Sequence, residues 1–233
     1  MALKTLYTAV GRFERRQNGC GRSCPVIILG GKEYMADMQE MVIWTCLNWR
    51  IVKREEIETL YAKTVSGAAF SADRPLEDCI DRLLIRGLLV SGSGNTEYDA
   101  LYDLLSTLSI IPAVGNLPLR VFTFFKLILL NRVPYSAAKK LFLKDKRTAR
   151  EEQVLRLAKQ ALLSTAEIIK CVEKDIRRLP CEESILSALY SDPDTTSDNI
   201  ACMVKNSTSS QEVILAVANL YLRQQIIFER CAE

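Results

Sequence analysis

The chain has 233 residues, 48% hydrophobic and 25% charged, and its 31 Lys and Arg against 28 Asp and Glu give a formal net charge of +3. That length can bury one large core or two small ones, and the apolar fraction is too high for a disordered chain. Histidine is absent, which removes Ser-His-Asp and Cys-His catalysis and His-ligated zinc together.

The small net charge hides a segregation. Residues 1–31 carry a balance of +4, 32–100 of −4, 101–180 of +8 and 181–233 of −5. Of eight cysteines, Cys46, Cys79, Cys171 and Cys202 fall on helix-patterned apolar stripes, which reads as free thiols packed in a core in a reducing cytoplasm. The N-terminus shows no secretory pattern. The most apolar stretch, from Leu104 to Leu130, is interrupted by Pro112, Gly115, Pro118, Arg120 and Lys126, so no membrane insertion is expected.

In chain order, "LYTAVGRF" and "PVIILGG" read as two strands around the Gly-containing "NGCGRSC", with "KEYMA" extending the second after a bulge at Gly30 and Gly31. Cys20 and Cys24 lack further soft ligands nearby, so they read as loop thiols, and no metal or cofactor is expected. Asp37 and Glu40 form a capping-box pattern before "MQEMVIWTCLNW", a helix with Val42, Ile43, Cys46 and Leu47 inward. A second helix runs through Ile57, Leu60 and Tyr61. The third, "PLEDCIDRLLIRG", turns Leu76, Ile80, Leu83 and Leu84 inward and stops at Gly87. "LLV", the turn "SGSGNT" and a returning "EYDAL" complete three helices and a hairpin, the winged helix-turn-helix order.

Residues 147–178 run about 30 residues without Gly or Pro, roughly 45 Å as one helix that could pack within the chain or form a homodimer. Near the C-terminus "ESILSALYS", "TSDNIACMVKNS" and "SSQEVILAVANLYLRQQIIFE" repeat the order of the first three helices, with Ile185 and Leu189 echoing Ile43 and Leu47. Val213, Val217, Leu220 and Tyr221 recur at the spacing of Leu76, Ile80, Leu83 and Leu84, and Gln224 takes the place of Gly87. This copy leaves no room for a full wing before Glu233. The expected fold class is mainly α with small β-hairpins (α+β). A winged-helix domain with its leading strands occupies 1–100, a basic helical middle 101–180 and a truncated winged-helix-like lobe 181–233.

The basic tract supplies Lys139, Lys140, Lys144, Lys146, Arg147 and Arg150 as candidates for phosphate contacts. The third helix of the first lobe is acidic at its start, which opposes DNA. Its C-terminal counterpart offers Ser209, Ser210 and Gln211, with Lys205 and Arg223 beside them, as candidates for base contacts.

Residues 40–100, with "IDRLLIRGLLV" and the glycine turn, resemble winged-helix domains of bacterial transcription regulators. Residues 26–90 also resemble the PqqD family of peptide-binding winged helices, through "GGKEY", "EMVIWTCL" with Ile43, Trp44 and Leu47, "EEIETLYAKT" and "LEDCIDRLLIRGLLV". The second resemblance implies a peptide added as a strand at Val26, Ile27, Ile28 and Leu29. The expectation is a cytoplasmic, non-enzymatic, DNA-associated transcriptional regulator, with a PqqD-like peptide or protein adaptor as the alternative.

Overall fold

The computed structural model describes residues 3–17, 23–65, 73–113, 146–176 and 181–230. Strand β1 (Lys4–Ala9) ends at Gly11, whose φ of +85° turns the chain into β2 (Arg12–Gln17) of a separate sheet. β3 (Ser23–Leu29) and β4 (Lys32–Met35) follow as a hairpin closed by Gly30 and Gly31 at φ +57° and +73°. Two successive positive φ values give the tight turn that suits strand twist. "KEYM" is therefore an antiparallel strand of its own and not a bulged extension.

Helices α1 (Met38–Leu47), α2 (Arg54–Val65) and α3 (Leu76–Ile85) lead into β5 (Leu89–Gly94). Asp37 and Glu40 close the capping box foreseen for α1. Beyond β5 the expected wing is absent: "SGSG" is strand, and "EYDAL" opens helix α4 (Glu97–Leu105), capped by Thr96. Glycine is required there because a Cβ on Gly92 would sit 2.2 Å from the Leu104 backbone nitrogen. The strand beside β5 is β1, which arrives from upstream.

After β6 (Ser109–Pro112) the described chain resumes before α5 (Ala149–Ala158), β7 (Leu163–Ser164) and α6 (Thr165–Glu173). The single helix expected over 147–178 is thus broken. Leu163 pairs with Ile110, and Ser164 with Glu167 forms a second capping box that starts α6 afresh. The apolar residues of both helices are buried in the chain's own core. Then come α7 (Glu182–Leu189), α8 (Ile200–Val204), α9 (Ser210–Leu222) and β8 (Ile226–Glu229). Of the stripe cysteines, Cys79 and Cys171 are buried, but Cys202 is exposed.

The three antiparallel sheets of the described residues have orders β1-β5, β2-β3-β4 and β7-β6-β8. They reveal a repeat with a different alignment from the expected one. Tyr7 pairs with Val52 on one side and Ser91 on the other; Ile110 pairs with Leu163 and Phe228. Each repeat is therefore an upstream strand, helix, short strand, helix, final helix and strand. α5 and α6 begin 111 residues after α1 and α2, while α9 and β8 end or begin 137 after α3 and β5. The match of α9 to α3 holds, including Gln224 at φ +58° where Gly87 has +70°. The match of α7 and α8 to α1 and α2 does not: they belong to a 26-residue excess, the difference between 111 and 137.

One continuous core spans both repeats. Tyr221 of α9 donates its hydroxyl to the Ala9 carbonyl and accepts from the Trp49 N–H, both at 2.9 Å. The Trp49 indole reaches the Ile226 carbonyl at 3.3 Å.

Candidate functional site

In each repeat the last helix is tied to the start of the first by a buried glutamate. Glu40 Oε2 is 2.9 Å from Arg86 Nη1, and its Oε1 is 2.9 Å from Arg82 Nε. Glu151 Oε2 is 3.3 Å from Arg223 Nη1. Both carboxylates also accept from the backbone of their capping residue, so each holds a helix start and a helix end together. Arg86 and Arg223 occupy equivalent C-cap positions. These arginines are committed to the fold, Arg223 included, although it was a candidate for base contacts.

The remaining base-contact candidates are also largely occupied. Ser209 and Ser210 are buried; the Ser210 hydroxyl lies 2.8 Å from Tyr98 Oη, and Ser209 Oγ lies 3.0 Å from Ser207 Oγ. Their short side chains start α9 inside the packing against α4, so they present nothing to a groove. Lys205 lies 3.6 Å from Asp99 and over the Tyr102 ring. Gln211 is exposed. The rest of the outward face of α9 is Glu212, Leu215, Asn219 and Leu222, and that of α3 is Glu77, Asp78, Asp81, Arg82 and Ile85.

Lys139, Lys140 and Lys144 lie outside the described residues. Lys146 is exposed; Arg147 Nε donates to Gln225 Oε1 at 2.6 Å; Arg150 pairs with Glu212 at 2.6 Å and donates to Gln153. Arg150 also borders a polar cavity of about 510 Å³ with Gln153, Arg156, Glu173, Asp175 and Ser209. Its two arginines face two carboxylates, so it has no net attraction for an anion.

Val26, Ile27, Ile28 and Leu29 are buried in β3, the middle strand, paired to β2 and β4. A peptide cannot add there because both sides of the strand are taken; the edges of this sheet are β2 and β4. At the end of β4 the Met35 carbonyl accepts from Arg86, which covers part of that edge.

Sequence reasoning missed a groove beside α2. It has about 400 Å³, with Val52 and Leu60 on its floor and Arg50, Glu55, Glu56 and Thr59 around it. The signal that could have found it is the shared Glu-Ile step of Glu56-Ile57 and Glu167-Ile168, which aligns the two repeats and shows α6 apolar where α2 is charged. Among the described residues, no group of three His, Cys, Asp or Glu is placed to hold a metal ion, and no helix is long and apolar enough to cross a membrane. Comparison with protein-family models, curated proteins and solved structures gives no match.

Proposed function

We propose that this chain is a non-catalytic binding protein built from two winged-helix-like repeats, and that it docks a peptide or protein partner. The element order supports the winged-helix reading: in both repeats an upstream strand takes the place beside the last strand that a wing strand would take. The observation that carries the choice of partner is the outward face of the two final helices. α3 presents Asp78 and Asp81, with Glu77 paired to Arg54 and Arg82 held by Glu40; α9 presents neutral residues, with Glu212 paired to Arg150 and Arg223 held by Glu151. A duplex carries one negative charge per roughly 1.7 Å, so neither helix suits a major groove. The same acidic and apolar surfaces suit a neutral or basic polypeptide.

DNA association remains the competing reading, favoured by the +8 balance of residues 101–180. The deciding experiment presents the full chain with genomic DNA fragments at about 50 and 200 mM salt and, separately, with a displayed peptide library. Recovery of peptides sharing a pattern, with all DNA lost at the higher salt, is the expected result. One DNA site retained at the higher salt would overturn the proposal.

A further inference from the structure

The second repeat shows what fills the position equivalent to the groove of the first. The 26 extra residues between its second and third helices form α7 and α8, and α7 lies against that position. Glu182 Oε1 accepts from the Leu162 N–H at 3.4 Å, and Tyr190 Oη donates to Glu167 Oε1 at 2.6 Å. Between those ends Ile185 and Leu189, four residues apart on one face, are fully buried. α8 packs on α6 and is tied to α4 through the Tyr102 hydroxyl and the Ala201 carbonyl. In this repeat Ala161, Leu163, Ala166 and Cys171 are all buried.

The equivalent residues of the first repeat are Arg50 and Glu55, both exposed, the half-buried Leu60 and the buried Val52, and among the described residues the groove above them is open. Glu56 repeats half of the role of Glu167: its Oε2 accepts from the Lys53 N–H at 2.8 Å, as Glu167 Oε2 does from Ser164 at 2.6 Å. Its Oε1, the counterpart of the oxygen that takes Tyr190, has no partner among the described residues. The α7 of a second copy cannot serve, because its apolar face is already buried.

We propose that the first-repeat groove docks a short amphipathic helix from a partner protein, held as α7 is held in the second repeat. An aliphatic pair four residues apart sits on Val52 and Leu60, a hydroxyl or amide donor meets Glu56, and a basic residue faces Glu55. This rests on the peptide-binding reading and names the site and the ligand class. Of the charges that line the groove, Glu55 and Glu56 outnumber Arg50, which favours a basic helix over the chain's own α7 with its Glu182 and Glu183.

The probe is a fluorescein-labelled peptide of residues 181–191 carrying Cys181→Ser, Glu182→Lys and Glu183→Lys, titrated with the full chain and followed by anisotropy. Saturable binding is expected, weakened at least tenfold by Thr59→Arg in the protein and severalfold by Tyr190→Phe in the peptide. Thr59 is exposed, so an unchanged circular dichroism spectrum will confirm that the variant folds. Equal binding to parent and Thr59→Arg overturns the groove. Library peptides that bind both proteins equally, with no binding of the probe, also overturn it while leaving a peptide-binding protein; failure of every peptide removes both readings. Concentration-dependent dimerisation abolished by Thr59→Arg would make the occupant a second copy and overturn the partner helix.

Discussion

Glu229 is a buried carboxyl at the junction of the two halves, where it accepts from the Gly30 N–H. Burial pushes its pKa up, outweighing the Gly30 bond and the Arg12 charge that pull it down. The folded state thus holds this proton more tightly than the unfolded chain does. Stability from this group is greatest below the ordinary glutamate pKa and falls as pH rises through it towards the raised value. Glu229→Gln keeps a carbonyl acceptor for Gly30 and cannot ionise. Urea unfolding at pH 4 and pH 7 should show the variant losing less stability on that rise than the parent; equal losses would contradict the assignment. Gly92 is a sharper case. An added Cβ would meet backbone atoms of Leu104 and Ala100 at 2.2 and 2.5 Å, so Gly92→Ala should cost about 3 kcal/mol or more. Gly31→Ala, with nothing within 4 Å and only a φ of +73° against it, should cost about 1 kcal/mol. Thermal melts of the two side by side would separate steric from conformational cost.

The final helices of the repeats end on the same device with one residue changed. After Arg86 the chain turns through Gly87, and after Arg223 through Gln224, both in the left-handed region. Glutamine bears a conformational cost there that glycine does not, so Gln224→Gly should stabilise the protein by roughly 0.5–1 kcal/mol. A fall in denaturation midpoint would show that the Gln224 side chain contributes more than its backbone strain costs. This element was legible from sequence because the left-handed cap and the apolar spacing of Val213, Val217, Leu220 and Tyr221 are local signals. The break between α5 and α6 is also marked, by Ser164 and Glu167, although neither Gly nor Pro stands there. Helices end for capping and pairing reasons as well as for breakers, and here Leu163 leaves the helix to pair with Ile110.

The two repeats share one core and are bridged by Tyr221, so the chain should unfold as one unit. Tyr221→Phe strands the Ala9 carbonyl and the Trp49 N–H in the interior and should cost about 1–3 kcal/mol. Both tryptophans lie in the first repeat, so the fluorescence of Trp44 reports on that half and that of Trp49 on its contact with α9 and β8, while far-ultraviolet circular dichroism reports on both repeats. Coincident urea transitions before and after the substitution are expected; separated ones would mean that the halves unfold independently. At this scale the sequence was least informative. Periodicity shows that Ile185 and Leu189 bury one side of a helix, which is also true of Ile43 and Leu47, so periodicity alone aligns α7 with α1. Only strand register, with Tyr7 and Ile110 each between two partners, identifies α5 as the true counterpart. By itself the sequence determined what depends on neighbours within a turn or two: the capping box that starts α1, the inward face of α9, and the exclusion of histidine chemistry. Tertiary structure decided which strand stands where a wing would, which arginines are consumed by Glu40 and Glu151, and which repeat keeps an open groove. Those outcomes depend on contacts between residues about 40 to 200 positions apart, whose pairing is set by shape and burial across the whole core and leaves no local pattern to read.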